Sequence, residues 1–194
     1  MLPALPAPVA AAHQRAAAAG FTLACEPGVG RLLAALAAAV PPRGRILEMG
    51  TGVGVGTAWI LHGLAGRSDV EVVTVEIDPA TAAIAQRGTW PRWVSLRVGD
   101  ILDALAGLGD FDLIFADAQG GKWEGLDRTI AALRPGGILL VDDMTPPTWI
   151  DDAHRRHTAR VRETLLTHTE LIAAELAEAS GMILATRRIG QVDR

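Results

Sequence analysis

Five short apolar runs in this 194-residue chain each end on residues able to do chemistry. The first, Arg45 to Met49, leads into Glu48-Met49-Gly50-Thr51-Gly52-Val53-Gly54-Val55-Gly56-Thr57. Glycine lets a backbone turn tightly and approach a ligand without a Cβ clash. The helix that follows offers free N–H groups to a polar ligand. A dinucleotide-binding turn would follow G-x-G-x-x-G, but Val55 holds that third glycine position, which counts against an oxidoreductase. Glu48 at the head of the turn disfavours an anionic pyrophosphate and favours a ligand carrying an ammonium. The competing reading is a merely tight strand–helix turn.

The second run ends in Val75-Glu76-Ile77-Asp78. A carboxylate at Glu76 can accept both hydroxyls of a ribose, whereas Asp78 followed by Pro79 reads as a helix cap. The third ends in Val98-Gly99-Asp100-Ile101. Asp100 suits an exocyclic adenine amine with Ile101 packed on the ring, or equally a plain N-cap. The fourth and fifth runs end on Asp117 and on Asp142-Asp143. Three unpaired carboxylates at one edge would repel one another strongly at low dielectric. A hard divalent cation such as Mg²⁺ would relieve this; the alternative is that one acid caps a helix and another meets the ligand's ammonium.

These residues need a frame. The spacing predicts helices over Val9–Ala19 and Arg31–Val40, then strands and helices in alternation: strands at Arg45–Met49, Glu71–Val75, Trp93–Val98, Phe111–Ala116 and Ile138–Val141, with helices from Val55, Pro79, Ile101 and Leu126 between them. Arg134-Pro-Gly-Gly reads as a turn. A polar helix from Asp151-Asp152 to Thr167 and two closing strands, Glu170–Leu176 and Gly181–Thr186, complete the pattern. Strands separated by helices imply right-handed crossovers and a parallel sheet covered on both faces. Ligands in such sheets sit outside the carboxyl ends of the strands, where the acids above lie.

Composition narrows the partners. Net charge is −4, so a basic surface for nucleic acid is not expected. Cys25 is the only cysteine; this excludes an internal disulfide or a cysteine-based zinc site and fits a reducing, cytoplasmic setting. It reads as a small buried residue. The start carries three prolines and no basic residues, a poor signal peptide. The longest other apolar run, Leu32 to Val40, is too short for a membrane span. Residues 1–27 read as an N-terminal helical extension and 28–194 as one domain.

In order and spacing these motifs resemble the class I S-adenosylmethionine (SAM)-dependent methyltransferases, and most closely bacterial O-methyltransferases related to catechol and caffeoyl-CoA O-methyltransferases. The resemblance runs from about Gly28 to Arg188 and rests on residues 45–54, Val75-Glu-Ile-Asp78, Phe115-Ala-Asp-Ala118 and residues 134–144. It implies a Rossmann-like α/β fold with a mostly parallel seven-stranded sheet whose last strand is antiparallel. It implies a SAM site built from Glu48, Gly50, Thr51, Gly52, Gly54, Thr57, Glu76, Ile77, Gly99, Asp100, Ile101 and Asp117. Asp117, Asp142 and Asp143 align with the ligands of metal-dependent relatives, where the third is usually Asn. Such relatives carry a catalytic lysine three residues after the first Asp. Here that position is Gly120, and Lys122 follows two residues later; with Asp117 it is the catalytic candidate, against the reading of a surface lysine. A hydroxyl residue common in relatives at Gly56 is replaced in this role by Thr57.

The expected activity is methyl transfer to a small hydroxylated acceptor, phenolic or catechol-like, with Mg²⁺ or another divalent cation as an aid. Family members are commonly homodimers. Trp123 and Trp149 are candidates to wall the acceptor, against ordinary loop packing, and residues 144–149 read as a rigid lid. The base-amine methylation signature, a polar-Pro-Pro-aromatic segment, is absent after the fourth strand, where Asp-Ala-Gln-Gly stands. A metal-independent methyltransferase for another acceptor and a non-catalytic SAM-binding module are the alternatives left open. The five histidines show no metal-ligand spacing, and Arg155, Arg156, Arg160 and Arg162 read as a solvated helix face.

Overall fold

The computed structural model describes residues 4–145 and 151–190. Among these residues seven strands form one sheet: β1 (Arg45–Met49), β2 (Glu71–Glu76), β3 (Val94–Val98), β4 (Phe111–Ala116), β5 (Leu133–Val141), β6 (Leu171–Leu176) and β7 (Met182–Arg187). Their order is β3-β2-β1-β4-β5-β7-β6. β7 runs antiparallel to both β5 and β6; the other pairings are parallel. Among the described residues seven helices flank the sheet: α1 (Ala7–Ala19), α2 (Pro27–Ala39), α3 (Val55–Leu64), α4 (Pro79–Ala85), α5 (Ile101–Leu108), α6 (Leu126–Ala131) and α7 (Asp152–Thr167). The expected Rossmann-like sheet with one reversed strand is present.

Strand side chains alternate between the two faces, and the core divides accordingly. Ile46, Val72, Leu113 and Phe115 pack with α1, α2 and α3 through Val9, Leu33, Trp59 and Ile60. Leu47, Val73, Ile114 and Leu139 pack with α5, α6 and α7 through Leu105, Ile130 and Val161. Each such fully buried apolar side chain contributes about 1.5–3 kcal/mol. Val9, Ala12 and Ala16 of α1 belong to the same core as α2 and α3.

Two local expectations are corrected. α2 begins at Pro27, four residues before Arg31, with Glu26 extended at its N-cap. Pro27 is pre-set for a first turn, and Gly30 lies inside the helix because the Trp59 ring occupies the place of its Cβ. The Arg134–Gly137 segment is an irregularity inside β5: Phe111 pairs with Leu133 but Leu113 with Ile138. Ladder pairing thus resumes across the bulge, and α6 stops at Ala131.

Candidate active site

The strand order reverses between β1 and β4, which places the β1–α3 turn beside the end of β4. Gly50 has φ +93°, and a Cβ there would press on the Asp117 carbonyl oxygen. The Asp117 N–H donates to Met49 O at 2.9 Å, and the Gly50 N–H to Val75 O at 3.0 Å. The glycine turn is therefore locked to both neighbouring strand ends. Contacts from outside the turn complete the lock. Arg15 on α1 donates to Val53 O, the Phe21 ring lies 3.0 Å from where a Gly52 Cβ would sit, and the Trp90 ring crowds Gly54 (φ +89°). Sequence spacing gave no signal for these three supports.

A cavity of about 430 Å³ opens over the strand ends, lined by Gly50, Glu76, Ile77, Gly99, Asp100, Ile101, Gln119, Trp123 and His157 among others. Glu76 is buried; its Oε2 accepts from the Gly52 N–H at 2.8 Å and its Oε1 from the Asp78 N–H at 3.0 Å. Each carboxylate oxygen has two lone pairs, so one on each oxygen remains available. Asp100 stands at the start of α5. It caps α5, accepting from the Leu102 N–H at 2.8 Å, and its residue lines the cavity. Asp78 caps α4 as expected. Ile77 is 68% exposed at the cavity edge.

Not every candidate faces this cavity. Thr57 is buried and donates to Glu48 Oε2 at 2.5 Å; Thr51 shares a hydrogen bond with Thr74 at 2.6 Å. Both hydroxyls serve the turn. Glu48 is fully buried beneath it, with Oε2 also taking the Thr74 hydroxyl at 2.6 Å. Burial pushes its carboxyl up to about 7 despite these hydrogen bonds. A Cβ at Gly56 would overlap Glu48 Oε1.

Asp117, Asp142 and Asp143 come together, each offering an oxygen within 4.8 Å of the others. Asp142 Oδ1 accepts from the Asp143 N–H at 2.7 Å and from Ser180 Oγ at 2.5 Å. Burial raises the Asp142 carboxyl to about 6, and burial together with Asp142 raises Asp117 well above the usual range. Three hard oxygen donors drawn together at electrostatic cost suit a divalent cation. Lys122 is not a surface lysine: the residue is 3% exposed, and its Nζ donates to Asp142 O at 3.2 Å and lies 3.6 Å from Asp143 Oδ2. Trp123 lines the cavity, stacked on His157 at 4.8 Å and edge-on to His154 at 4.7 Å. Nothing in the sequence places His157 of α7 over the fourth strand's loop. Trp149 and most of the expected lid, residues 146–149, lie outside the described residues. Cys25 is buried, its thiol pushed well up by desolvation, as a packing residue should be.

A methyltransferase-domain family model matches residues 47–144, from β1 to the acid pair after β5. The chain belongs to the methyltransferase-domain family. A curated protein of Mycolicibacterium vanbaalenii that carries the provisional name of an O-methyltransferase is 35% identical over 141 residues, 69% of this chain and 61% of that protein. The match thus spans about three fifths of the curated relatives' length. Among solved structures, the O-methyltransferase TomG of Streptomyces achromogenes in complex with SAM is 25% identical with TM-score 0.78, covering 97% of this chain and 92% of that one. An O-methyltransferase of Bacillus cereus in complex with SAH is 25% identical with TM-score 0.81, covering 97% and 94%. Among the described residues no helix is long and apolar enough to cross a membrane.

Proposed function

We propose that this chain transfers the sulfonium methyl of SAM to an oxygen of a small hydroxylated acceptor, phenolic or catechol-like, in the cytoplasm. The observation that carries this reading is the gathering of Gly50, Glu76 and Asp100, from three separate strand ends, around one cavity. In that cavity Glu76 grips the ribose with its two spare lone pairs, and Asp100, Ile77 and Ile101 receive the adenine. The glycine turn over Glu48 holds the amino-acid part. The sulfonium then points toward Asp117, past the end of β4.

Methyl transfer is an in-line displacement: the acceptor oxygen forms a bond to carbon as the carbon–sulfur bond breaks, leaving S-adenosylhomocysteine. The protein contributes mainly alignment, worth up to about 7–11 kcal/mol in ideal cases. The acceptor must also lose its proton. Asp117, Asp142 and Lys122 surround the place where that proton leaves; burial raises the Asp142 carboxyl to about 6, a range suited to proton exchange, and raises Asp117 well above the usual carboxylate range. A cation-assisted version is favoured by one observation, the 4.8 Å approach of Asp117, Asp142 and Asp143. These three would hold the ion, which when bound lowers the pKa of a coordinated hydroxyl.

Calorimetry with SAM and S-adenosylhomocysteine tests the donor site, and turnover across a panel of catechols and simple phenols tests the acceptor class. Heat of binding with formation of S-adenosylhomocysteine is expected. Binding without turnover on any acceptor would leave a binding module, and no binding would remove the reading altogether.

A further inference from the structure

The acidic cluster already faces a cation of its own. Residues 119–124 form a tight knot: the Lys122 and Trp123 N–H groups both donate to Gln119 O, at 3.2 and 2.8 Å, and the Gly121 N–H donates to Glu124 O at 2.8 Å. Gly121 sits at φ +80° with no room for a Cβ beside Met49 Sδ. This knot turns Lys122 inward until its side chain is only 4% exposed. A buried ammonium is costly unless paired. Its partners here are the Asp142 carbonyl oxygen and the Asp143 carboxylate, two consecutive members of the cluster.

We propose that the Lys122 ammonium is a tethered counter-cation for Asp117, Asp142 and Asp143, competing with any divalent ion for the same carboxylates. The inference rests on reading this cluster as the acceptor end of the methyl-transfer site. Two cations within a few ångströms in a partly desolvated site repel strongly. A divalent ion therefore enters only by pushing the ammonium away from Asp143. Without the ion, Lys122 supplies the positive charge that steadies an acceptor oxygen as it loses its proton. In this scheme metal dependence becomes weak or absent while the three carboxylates remain.

Manganese is the probe. Free Mn²⁺ is followed by electron paramagnetic resonance while MnCl₂ is titrated into wild type, Lys122→Met, Lys122→Arg and the double variant Lys122→Met/Asp142→Asn, each checked for native circular dichroism. Lys122→Met is expected to bind Mn²⁺ at least tenfold more tightly than wild type, and the double variant to lose that gain. Lys122→Arg keeps the charge and should stay as weak as wild type. Equal Mn²⁺ affinity in wild type and Lys122→Met, tight or undetectable, overturns the proposal; so does a gain in Lys122→Arg, which would trace to packing. S-adenosylhomocysteine calorimetry on the same wild-type sample separates this outcome from failure of the methyltransferase reading.

Discussion

Arg15 reaches across 38 positions to place both Nε and Nη2 on the Val53 carbonyl oxygen, at 3.0 and 2.9 Å. Its guanidinium also lies 5.3 Å from the Trp90 ring centroid, and Trp90 in turn crowds Gly54. A residue of the first helix thus fixes the turn under the proposed donor site without lining the cavity. A glycine-rich turn has large freedom to lose on binding, so fixing it beforehand should favour the ligand.

Arg15→Ala is therefore expected to weaken S-adenosylhomocysteine binding about tenfold, since one charge-assisted hydrogen bond is worth about 1.5–3 kcal/mol. Arg15→Lys should recover part of the loss. The measurement is the calorimetric Kd set beside the melting temperature. A fall in melting temperature with Kd held within twofold would reduce Arg15 to a packing role.

Glu48 carries a pH signature. Its carboxyl titrates near 7 in the fold against 4.5 in the free side chain. Between those values the unfolded chain has released a proton that the folded chain keeps, so this group's contribution to stability is full below about pH 4.5 and is lost as pH rises toward 7. The shift corresponds to about 3 kcal/mol. Glu48→Gln keeps an acceptor for the Thr57 and Thr74 hydroxyls and carries no charge. The ligand-free variant should match or exceed wild type in urea stability at pH 8, with the gap closing at pH 5. A gap independent of pH would show that Glu48 is not buried with a raised carboxyl.

The parts of this architecture legible in the sequence were those with local causes. Apolar runs that end on Glu76, Asp100, Asp117 and Asp142 define the sheet and its functional edge, because buried parallel strands need continuous hydrophobic character. Asp78 and Asp100 announce their helices because capping is a contact over two or three residues. The less legible parts depend on contacts between distant segments. Gly30 looks like a helix breaker until the Trp59 ring is seen against it. Arg134-Pro-Gly-Gly is turn chemistry absorbed into a strand because Phe111 and Leu113 keep their pairing on either side. The Trp123–His157 stack joins residues 34 positions apart through the packing of α7. The inward turn of Lys122 depends on the hydrogen-bonded knot around Gln119, which residue spacing does not encode.

Gly121 is the hinge of that knot. Alanine there would hold φ +80° at a cost of about 1–2 kcal/mol, and its Cβ would meet Met49 Sδ in a packed interior, costing about 1–3 kcal/mol more. Gly121→Ala is expected to lower urea stability by about 2–5 kcal/mol. Gly120→Ala, at ordinary φ with Ile101 Cγ2 3.0 Å from the new methyl, should cost less. Equal losses at the two positions would contradict the strained turn.

Glu76 provides the sharpest test of ligand orientation, because both its oxygens are already held by backbone N–H groups of Gly52 and Asp78. The carboxylate cannot swing away to seek another partner, so what it offers a ligand is one fixed lone pair on each oxygen. Two vicinal hydroxyls match that spacing. Glu76→Gln replaces one acceptor by a donor that faces an N–H group, so binding of S-adenosylhomocysteine should weaken by about 2–4 kcal/mol, thirtyfold or more. A double-mutant cycle isolates the contact: removing the ribose hydroxyls from the ligand should cost wild type heavily and Glu76→Gln little. If the deoxygenated ligand loses equal affinity against both proteins, the hydroxyls meet some other group and the nucleoside lies elsewhere in the cavity.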